Sequence, residues 1–77
     1  MKIKEKVMEI IAKSIEVEVN RLDEDTAIGD FPGWDSMSQL IIISTIEDEF
    51  DIKLDPEDIM ELEDVSDIVA IVEDRIK

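Results

Sequence analysis

A serine near the middle of the chain has the setting of a modifiable hydroxyl. Ser36 follows Gly33-Trp34-Asp35 and precedes an apolar stretch, so it lies where a helix should begin. Either Asp35 or Ser36 can accept the free N–H groups of the first helical turn, and Ser36 with Gln39 fits a capping box. If Asp35 is the cap, the Ser36 hydroxyl is free beside the positive end of the helix dipole, where a phosphodiester is favoured.

The same serine lacks the partners that a catalytic serine needs. The 77-residue sequence contains no histidine and no cysteine, which excludes a serine triad, thiol chemistry, and zinc or haem ligation by those residues. Trp34 and Ser38 also occupy the positions where a nucleophile elbow has glycine. We therefore predict that the protein is not an enzyme.

Three aspartates before the serine resemble the start of a calcium loop. Asp23, Asp25 and Asp30 supply carboxylates, but Ala27 and Ile28 lie where such a loop needs an oxygen ligand and a glycine. We predict no dedicated metal site. Divalent cations should instead bind diffusely to the acidic surface and stabilise the folded state.

Charge restricts the class of partner. The chain has 22 acidic and 8 basic residues, for a net charge of −14, and residues 23–77 hold nearly all of the excess. This charge opposes binding to nucleic-acid phosphates, to anionic membranes and to a second copy of the chain. The longest apolar run, residues 68–72, is far shorter than the roughly 20 residues that span a bilayer. We expect a cytoplasmic monomer that binds neither nucleic acid nor membrane.

The spacing of apolar residues predicts an all-α protein, a four-helix bundle of three longer helices and one short helix in a single domain spanning residues 1–77. The apolar face of the first helix consists of Ile3, Val7, Ile10, Ile11 and Ile15. A long connection from Glu16 to Asp35 follows, and we expect its apolar residues to anchor it to the core; these are Val19, Leu22 and Ile28. A loop of this length in so small a domain is commonly functional.

The other helices are marked by their start signals. Helix two should run from the Asp35-Ser36 step to Phe50. Asp55 as N-cap and Pro56 at the first helical position predict a short helix three that reaches Leu62. Helix four follows Asp64, and its predicted core face consists of Val65, Ile68, Val69, Val72 and Ile76.

Helix two has apolar residues on two sides. One side is the predicted core face and comprises Ile42, Ile43, Ile46 and Phe50. The other side comprises Met37, Leu40 and Ser44, with Ile41 at its margin and Glu47 and Asp48 below it. An exposed apolar patch rimmed by carboxylates is typical of a docking surface. The alternative is a bundle that wraps this helix more completely.

These residues resemble those of acyl carrier proteins. The resemblance lies in Gly33-Trp34-Asp35-Ser36-Met37, followed by Leu40 and by Ile46-Glu47-Asp48-Glu49-Phe50-Asp51-Ile52, and it extends over the order of helices in the whole chain. It implies that Ser36 carries 4′-phosphopantetheine, transferred from coenzyme A by a separate phosphopantetheinyl transferase. The terminal thiol of that group would hold an acyl, aminoacyl or polyketide intermediate as a thioester.

The resemblance also implies where partners dock and what the interior holds. Partner enzymes with basic patches would contact Asp35, Met37, Leu40, Ser44, Glu47 and Asp48. The interior, or acyl pocket, would be lined by Ile42, Ile43, Ile46, Phe50, Ile59, Leu62 and Ile68. Trp34 departs from carriers of primary fatty-acid synthesis and is more similar to carriers of polyketide, peptide or other specialised pathways. Ile59 and Ile68 leave less interior space, so we expect a cargo that is short or stays outside the core.

An acidic interaction module, such as a regulator or a nucleic-acid mimic, is the alternative function. Net charge alone does not separate it from a carrier. Ser36 does, because a mimic needs no modified serine and should tolerate Ser36→Ala, whereas a carrier should lose its prosthetic group.

Overall fold

A computed structural model describes residues 2–76 as a bundle of α-helices. Helix α1 spans Ile3–Ile15, α2 spans Ser36–Phe50, α3 spans Pro56–Met60 and α4 spans Val65–Arg75, and a single 3-10 turn covers Val19–Arg21. Within these residues the only β-type pairing is an isolated bridge between Ala27 and Asp64. The predicted all-α architecture, with three longer helices and one short helix, is confirmed.

The core lies where α1 packs against both α2 and α4. Each helix contributes β-branched or aliphatic residues at helical spacing, so the three apolar stripes meet in one cluster. Its fully buried members include Val7 and Ile11 from α1, Ile42 and Ile46 from α2, and Val65, Ile68 and Val72 from α4. The predicted core faces of α1 and α2 are therefore largely correct, although Phe50 is only partly buried against the cluster.

Several predicted boundaries and anchors are wrong at the edges. Helix α3 ends at Met60, because Leu62 donates its N–H to the Ile59 carbonyl and tightens the chain into a turn. Helix α4 ends at Arg75, which leaves Ile76 outside the helix and 37% exposed. Val19, at the start of the 3-10 turn, is 43% exposed and is not an anchor. The other two predicted anchors are correct, because Leu22 is buried and Ile28 is partly buried against the core.

The long loop, residues 16–35, is held on the core by close backbone packing. Glu16 ends α1 in the left-handed conformation and donates its N–H to the Ala12 carbonyl, which turns the chain sharply. Farther along, a Cβ on Gly33 would lie 2.8 Å from the carbonyl oxygen of Ile15. Only glycine fits at this distance, so the end of α1 fixes the position of the segment that leads into α2.

The loop is also tied to the start of α4. The Ile28 N–H donates to the Glu63 carbonyl at 2.8 Å, and the Val65 N–H donates to the Thr26 carbonyl at 2.9 Å. These bonds satisfy backbone groups of an otherwise irregular segment. The long loop that connects α1 to α2 is therefore ordered and packs against the bundle.

Few ion pairs offset the negative charge. In the described part of the chain, Lys4 pairs with Glu24, Lys6 with Glu49 at 3.6 Å, and Arg75 with Asp58 at 2.5 Å. The Arg75 hydrogen bond lowers the pKa of Asp58, and Asp58 in turn raises the pKa of Arg75. No helix among residues 2–76 is long and apolar enough to cross a membrane.

Glycine in place of Asp51, at the end of α2, should stabilise the protein more than alanine does. Asp51 has φ of 54° there, a left-handed conformation that costs an L-residue roughly 1–2 kcal/mol, whereas glycine adopts it freely. Because Asp51→Gly and Asp51→Ala remove the same charge, we compare them directly in urea unfolding. We expect the glycine variant to have the larger free energy of unfolding, by about 1 kcal/mol. An alanine variant of equal or greater stability would contradict this assignment.

The melting temperature should rise and then fall as the pH is lowered. Partial protonation between pH 7 and about 5, like added Mg²⁺ or salt, reduces repulsion within a chain of charge −14 and should raise the melting temperature. Asp58 acts in the opposite direction. A carboxyl with a lowered folded pKa stabilises the fold above its unfolded pKa, and this stabilisation is lost as the pH falls through the folded value.

Calorimetric scans of Asp58→Asn and Glu57→Gln test the two effects separately, because both variants remove one negative charge from the first turn of α3. We expect only Asp58→Asn to lose part of the decline at the acidic end. A melting temperature that does not respond to Mg²⁺, salt or mild acid would contradict the charge argument.

Candidate functional site

Asp35, not Ser36, caps the N-terminus of α2. The Ser38 N–H donates to the Asp35 carboxylate at 2.9 Å, and the Gln39 N–H donates to the Asp35 carbonyl at 2.9 Å. The bond from the Ser38 N–H is the main reason that the pKa of Asp35 lies below its ordinary value. An ionised carboxylate therefore fixes the first turn of the helix and leaves Ser36 as its first residue.

The capping-box interpretation of Ser36 and Gln39 is wrong because the Gln39 side chain points into the protein. Gln39 accepts a hydrogen bond from the Trp34 indole N–H at 2.7 Å, and its amide donates to the Leu62 carbonyl at 3.1 Å. Ser36 is exposed, and within residues 2–76 its hydroxyl takes part in no hydrogen bond. The hydroxyl is thus free for covalent modification.

The segment before Ser36 is a compact turn that positions the serine. Gly29 has φ of +95°, which L-residues rarely adopt, and its N–H donates to the Trp34 carbonyl at 2.9 Å. The Trp34 N–H donates to the Phe31 carbonyl at 2.9 Å, while the Asp30 carboxylate accepts the Ala27 N–H at 2.8 Å. Asp30 therefore organises the turn, and the structure shows no group of three or more carboxylates in residues 2–76 suited to hold a metal ion.

The side of α2 opposite the core is open to solvent. Met37 is 76% exposed, Leu40 62% and Ile41 57%, and Ser44 is also exposed. We call these four residues the exposed face of α2. Met60 of α3 is 83% exposed, although the spacing of apolar residues did not single it out. The exposed side chains are too many for the alternative in which the bundle wraps this helix completely.

The predicted docking acids have different surroundings. Asp35 and Asp48 are exposed, but Glu47 is half-buried and its carboxylate accepts the Leu54 N–H at 2.9 Å. Glu47 therefore fastens the link between α2 and α3 to the helix. This second role was missed, since Leu54 lies outside α2 and its bond to Glu47 leaves no periodic signal in the sequence.

Other residues around the site were predicted with the right burial. Leu62 and Ile68 are buried, and Ile43 is 2% exposed. Ile59 is partly buried against the core. The bridge formed by Trp34, Gln39 and the Leu62 carbonyl was missed, because its partners lie outside α2 and leave no periodic signal in the sequence.

This arrangement fits a phosphodiester-linked prosthetic group on Ser36. The serine is the first residue of a 15-residue helix, where backbone N–H groups and the helix dipole favour an added phosphoryl group. The neighbouring exposed face of α2 leaves room for an attached arm and for a partner protein. The site therefore offers an exposed hydroxyl as the group to be modified.

Comparison with known proteins gives matches over most of the chain. The family model described as "Phosphopantetheine attachment site" matches residues 5–72. The acyl carrier protein of Streptococcus pyogenes serotype M1 is 38% identical over 77 residues and that of Streptococcus thermophilus is 36% identical over 77, each covering 100% of both chains. The solution structure of the holo acyl carrier protein from Geobacter metallireducens has a TM-score of 0.85 at 22% identity, covering 99% of this chain and 87% of that one.

The structural match supports the fold, and the sequence matches support membership of a protein family. Members of this family carry a phosphopantetheine cofactor and act as carriers, not as catalysts, and a free serine at the start of α2 agrees with such a cofactor. The expected cofactor and the expected lack of enzymatic activity are therefore confirmed. On these grounds the chain belongs to the acyl carrier protein family.

Proposed function

We propose that Ser36 is the attachment residue and that the chain presents a thioester-bound intermediate to a series of partner enzymes. The observation that carries this proposal is the division of labour at the start of α2, where Asp35 caps the helix and the Ser36 hydroxyl is free. If Ser36 were the cap, its oxygen would be engaged by the helix that must present it.

The attachment step needs coenzyme A and a phosphopantetheinyl transferase. A bond forms between the Ser36 oxygen and the phosphorus that bears pantetheine, and the bond from this phosphorus to the nucleotide breaks. The nucleotide leaves as adenosine 3′,5′-bisphosphate, and the serine proton passes to a base of the transferase. The chain supplies the hydroxyl, the helix N-terminus beside it and a surface for the transferase.

Once attached, the group supplies a terminal thiol that holds acyl, aminoacyl or polyketide intermediates as thioesters. The protein's own contribution is to deliver that thiol. A tether on a small body turns each encounter with a docked enzyme into an effectively intramolecular reaction, so the carrier needs no catalytic residue.

Partner docking is assigned to the exposed face of α2 with its carboxylate rim. Met37, Leu40 and Ser44 offer a contact surface beside Ser36, and the carboxylates of Asp35 and Asp48 lie at its border. Basic patches on loading and transferring enzymes would be steered to this side, which gives fast and salt-sensitive association. Glu47 is assigned a smaller part because its carboxylate already binds the Leu54 N–H.

The charge supports two further parts of the proposal. A net charge of −14 opposes self-association, so the carrier acts as a monomer. The same charge disfavours nucleic acid and anionic membranes as partners. Because coenzyme A is the donor of the prosthetic group, we assign the carrier to the cytoplasm, where that donor is made.

Replacing the serine should abolish attachment without affecting the fold. We incubate the wild-type protein and Ser36→Ala with coenzyme A, Mg²⁺ and a promiscuous phosphopantetheinyl transferase, and measure intact mass. The wild type should gain one phosphopantetheine group and the variant none, while far-UV circular dichroism stays the same because the Ser36 hydroxyl makes no described internal bond.

Ser38→Ala provides the matched control, since it removes a hydroxyl from the same helical turn. It should still be modified. Wild-type protein that stays unmodified would overturn the carrier function and favour an acidic interaction module or nucleic-acid mimic, and modified Ser36→Ala would place the attachment elsewhere.

A charge reversal on α2 should slow loading more than one on α4. Asp48→Lys and Glu73→Lys change the net charge equally, and both residues are exposed, but only Asp48 borders the exposed face of α2. At low salt we expect Asp48→Lys to lower kcat/KM of the transferase by roughly three- to tenfold, and Glu73→Lys by less than about twofold. Added salt should shrink the difference, whereas equal effects of the two variants would contradict docking at α2.

A further inference from the structure

A buried polar bridge joins residues on either side of Ser36 in the sequence to the link between α3 and α4. The Trp34 indole N–H donates to the Gln39 side chain, and the Gln39 amide donates to the Leu62 carbonyl. Trp34 is 1% exposed and Gln39 6% exposed. Trp34 is two residues before Ser36, Gln39 is three residues after it, and Leu62 belongs to the link between α3 and α4.

The bridge closes the space between the start of α2 and the α3–α4 link. A chain attached to Ser36 that folded back toward the core on this side would have to pass between these two segments. The terminal amide of Gln39 joins the two segments, because its oxygen accepts from the Trp34 indole N–H and its nitrogen donates to the Leu62 carbonyl. Entry of an alkyl chain would separate these partners and leave an indole N–H, an amide and a carbonyl buried without hydrogen bonds, which is unfavourable.

The interior behind the bridge is already filled. Ile42, Ile46 and Ile68 have no exposed surface, and Trp34 belongs to the same core cluster. Interiors packed in this way have few voids, so added volume forces side chains and backbone to move. Neither the bridge nor the core beneath it offers a ready path for a long chain.

We propose that the Trp34–Gln39–Leu62 bridge keeps the cargo outside the helical core, so the acyl group carried on Ser36 is short or polar and not a long alkyl chain. This inference rests on the proposed carrier function. A long alkyl chain with no interior site would remain in water at a cost that grows with its apolar area, whereas a short or polar group loses little by staying exposed.

The first experiment compares cargo length in the wild-type protein. A promiscuous phosphopantetheinyl transferase attaches acetyl- or octanoyl-phosphopantetheine to Ser36 from the corresponding acyl-coenzyme A, and mass spectrometry verifies loading. The rate of thioester cleavage by hydroxylamine reports shielding of the cargo. We expect the acetyl and octanoyl rates to agree within about twofold after correction for the same two thioesters on free pantetheine. Emission from Trp34, the only tryptophan, should be the same in both forms.

The second experiment removes the bridge. In Gln39→Ala the octanoyl rate should fall at least fivefold relative to the acetyl rate, because the volume that the Gln39 side chain vacates lies against the core and can shelter part of the octanoyl chain. Thr45→Ala is the matched control, since it removes a side-chain hydrogen bond to the Ile41 carbonyl elsewhere on α2. It should keep the wild-type ratio. If Gln39→Ala does not fold, Trp34→Phe removes the indole donor while retaining an aromatic ring, and the hydroxylamine ratio is measured there.

The possible results separate the inference from the function on which it rests. A wild-type octanoyl rate at least fivefold below the acetyl rate would overturn the inference and leave the carrier function intact. If the ratio of the octanoyl to the acetyl cleavage rate is the same in the wild type and in the variant without the bridge, the role of the bridge is overturned. Failure to gain mass from either donor would overturn the proposed function and the inference together.

Discussion

The site depends on one hydrogen bond, from the Ser38 N–H to the Asp35 carboxylate. Because this carboxylate caps the N-terminus of α2, the Ser36 hydroxyl is not needed as a cap and is exposed to solvent. The lowered pKa of Asp35 has the same cause, so the cap stays charged under ordinary conditions. Two adjacent polar residues that could compete for one structural role are thus separated, because Asp35 caps the helix and Ser36 keeps an exposed hydroxyl.

Around this cap the protein separates an apolar core from a strongly charged shell. Isoleucine and valine from α1, α2 and α4 fill the interior, while a net charge of −14 is distributed over a surface with few cationic partners. Repulsion among these carboxylates reduces the stability of the fold, and the same negative charge would attract the basic surfaces of the proposed partners. The proposed carrier function thus uses a surface charge that the isolated protein tolerates at a cost in stability.

The sequence contained most of the fold, because helical periodicity and start signals are local. The Pro56 start of α3 and the end of α2 at Phe50 follow from residues within a turn of each boundary. The contacts that were missed join side chains of α2 to residues outside that helix, so they follow no helical spacing. The misplaced end of α3 reflects a local bond from the Leu62 N–H to the Ile59 carbonyl. Gln39 was assigned to a cap because its sequence spacing from Ser36 fits one, yet its partners are an indole and a carbonyl 23 positions away. Glu47 was assigned only to docking for the same reason, since its bond to Leu54 forms across a loop.

The contact between Gly33 and the end of α1 limits which substitutions the attachment segment can accept. The requirement comes from the 2.8 Å separation between the position of a Cβ and the Ile15 carbonyl oxygen, so even alanine would push the two segments apart. The contact thereby fixes the position of Ser36 relative to the end of α1. The length of α1 and the path of the chain into α2 are therefore coupled through this one contact, so a change at either segment would be transmitted to the other.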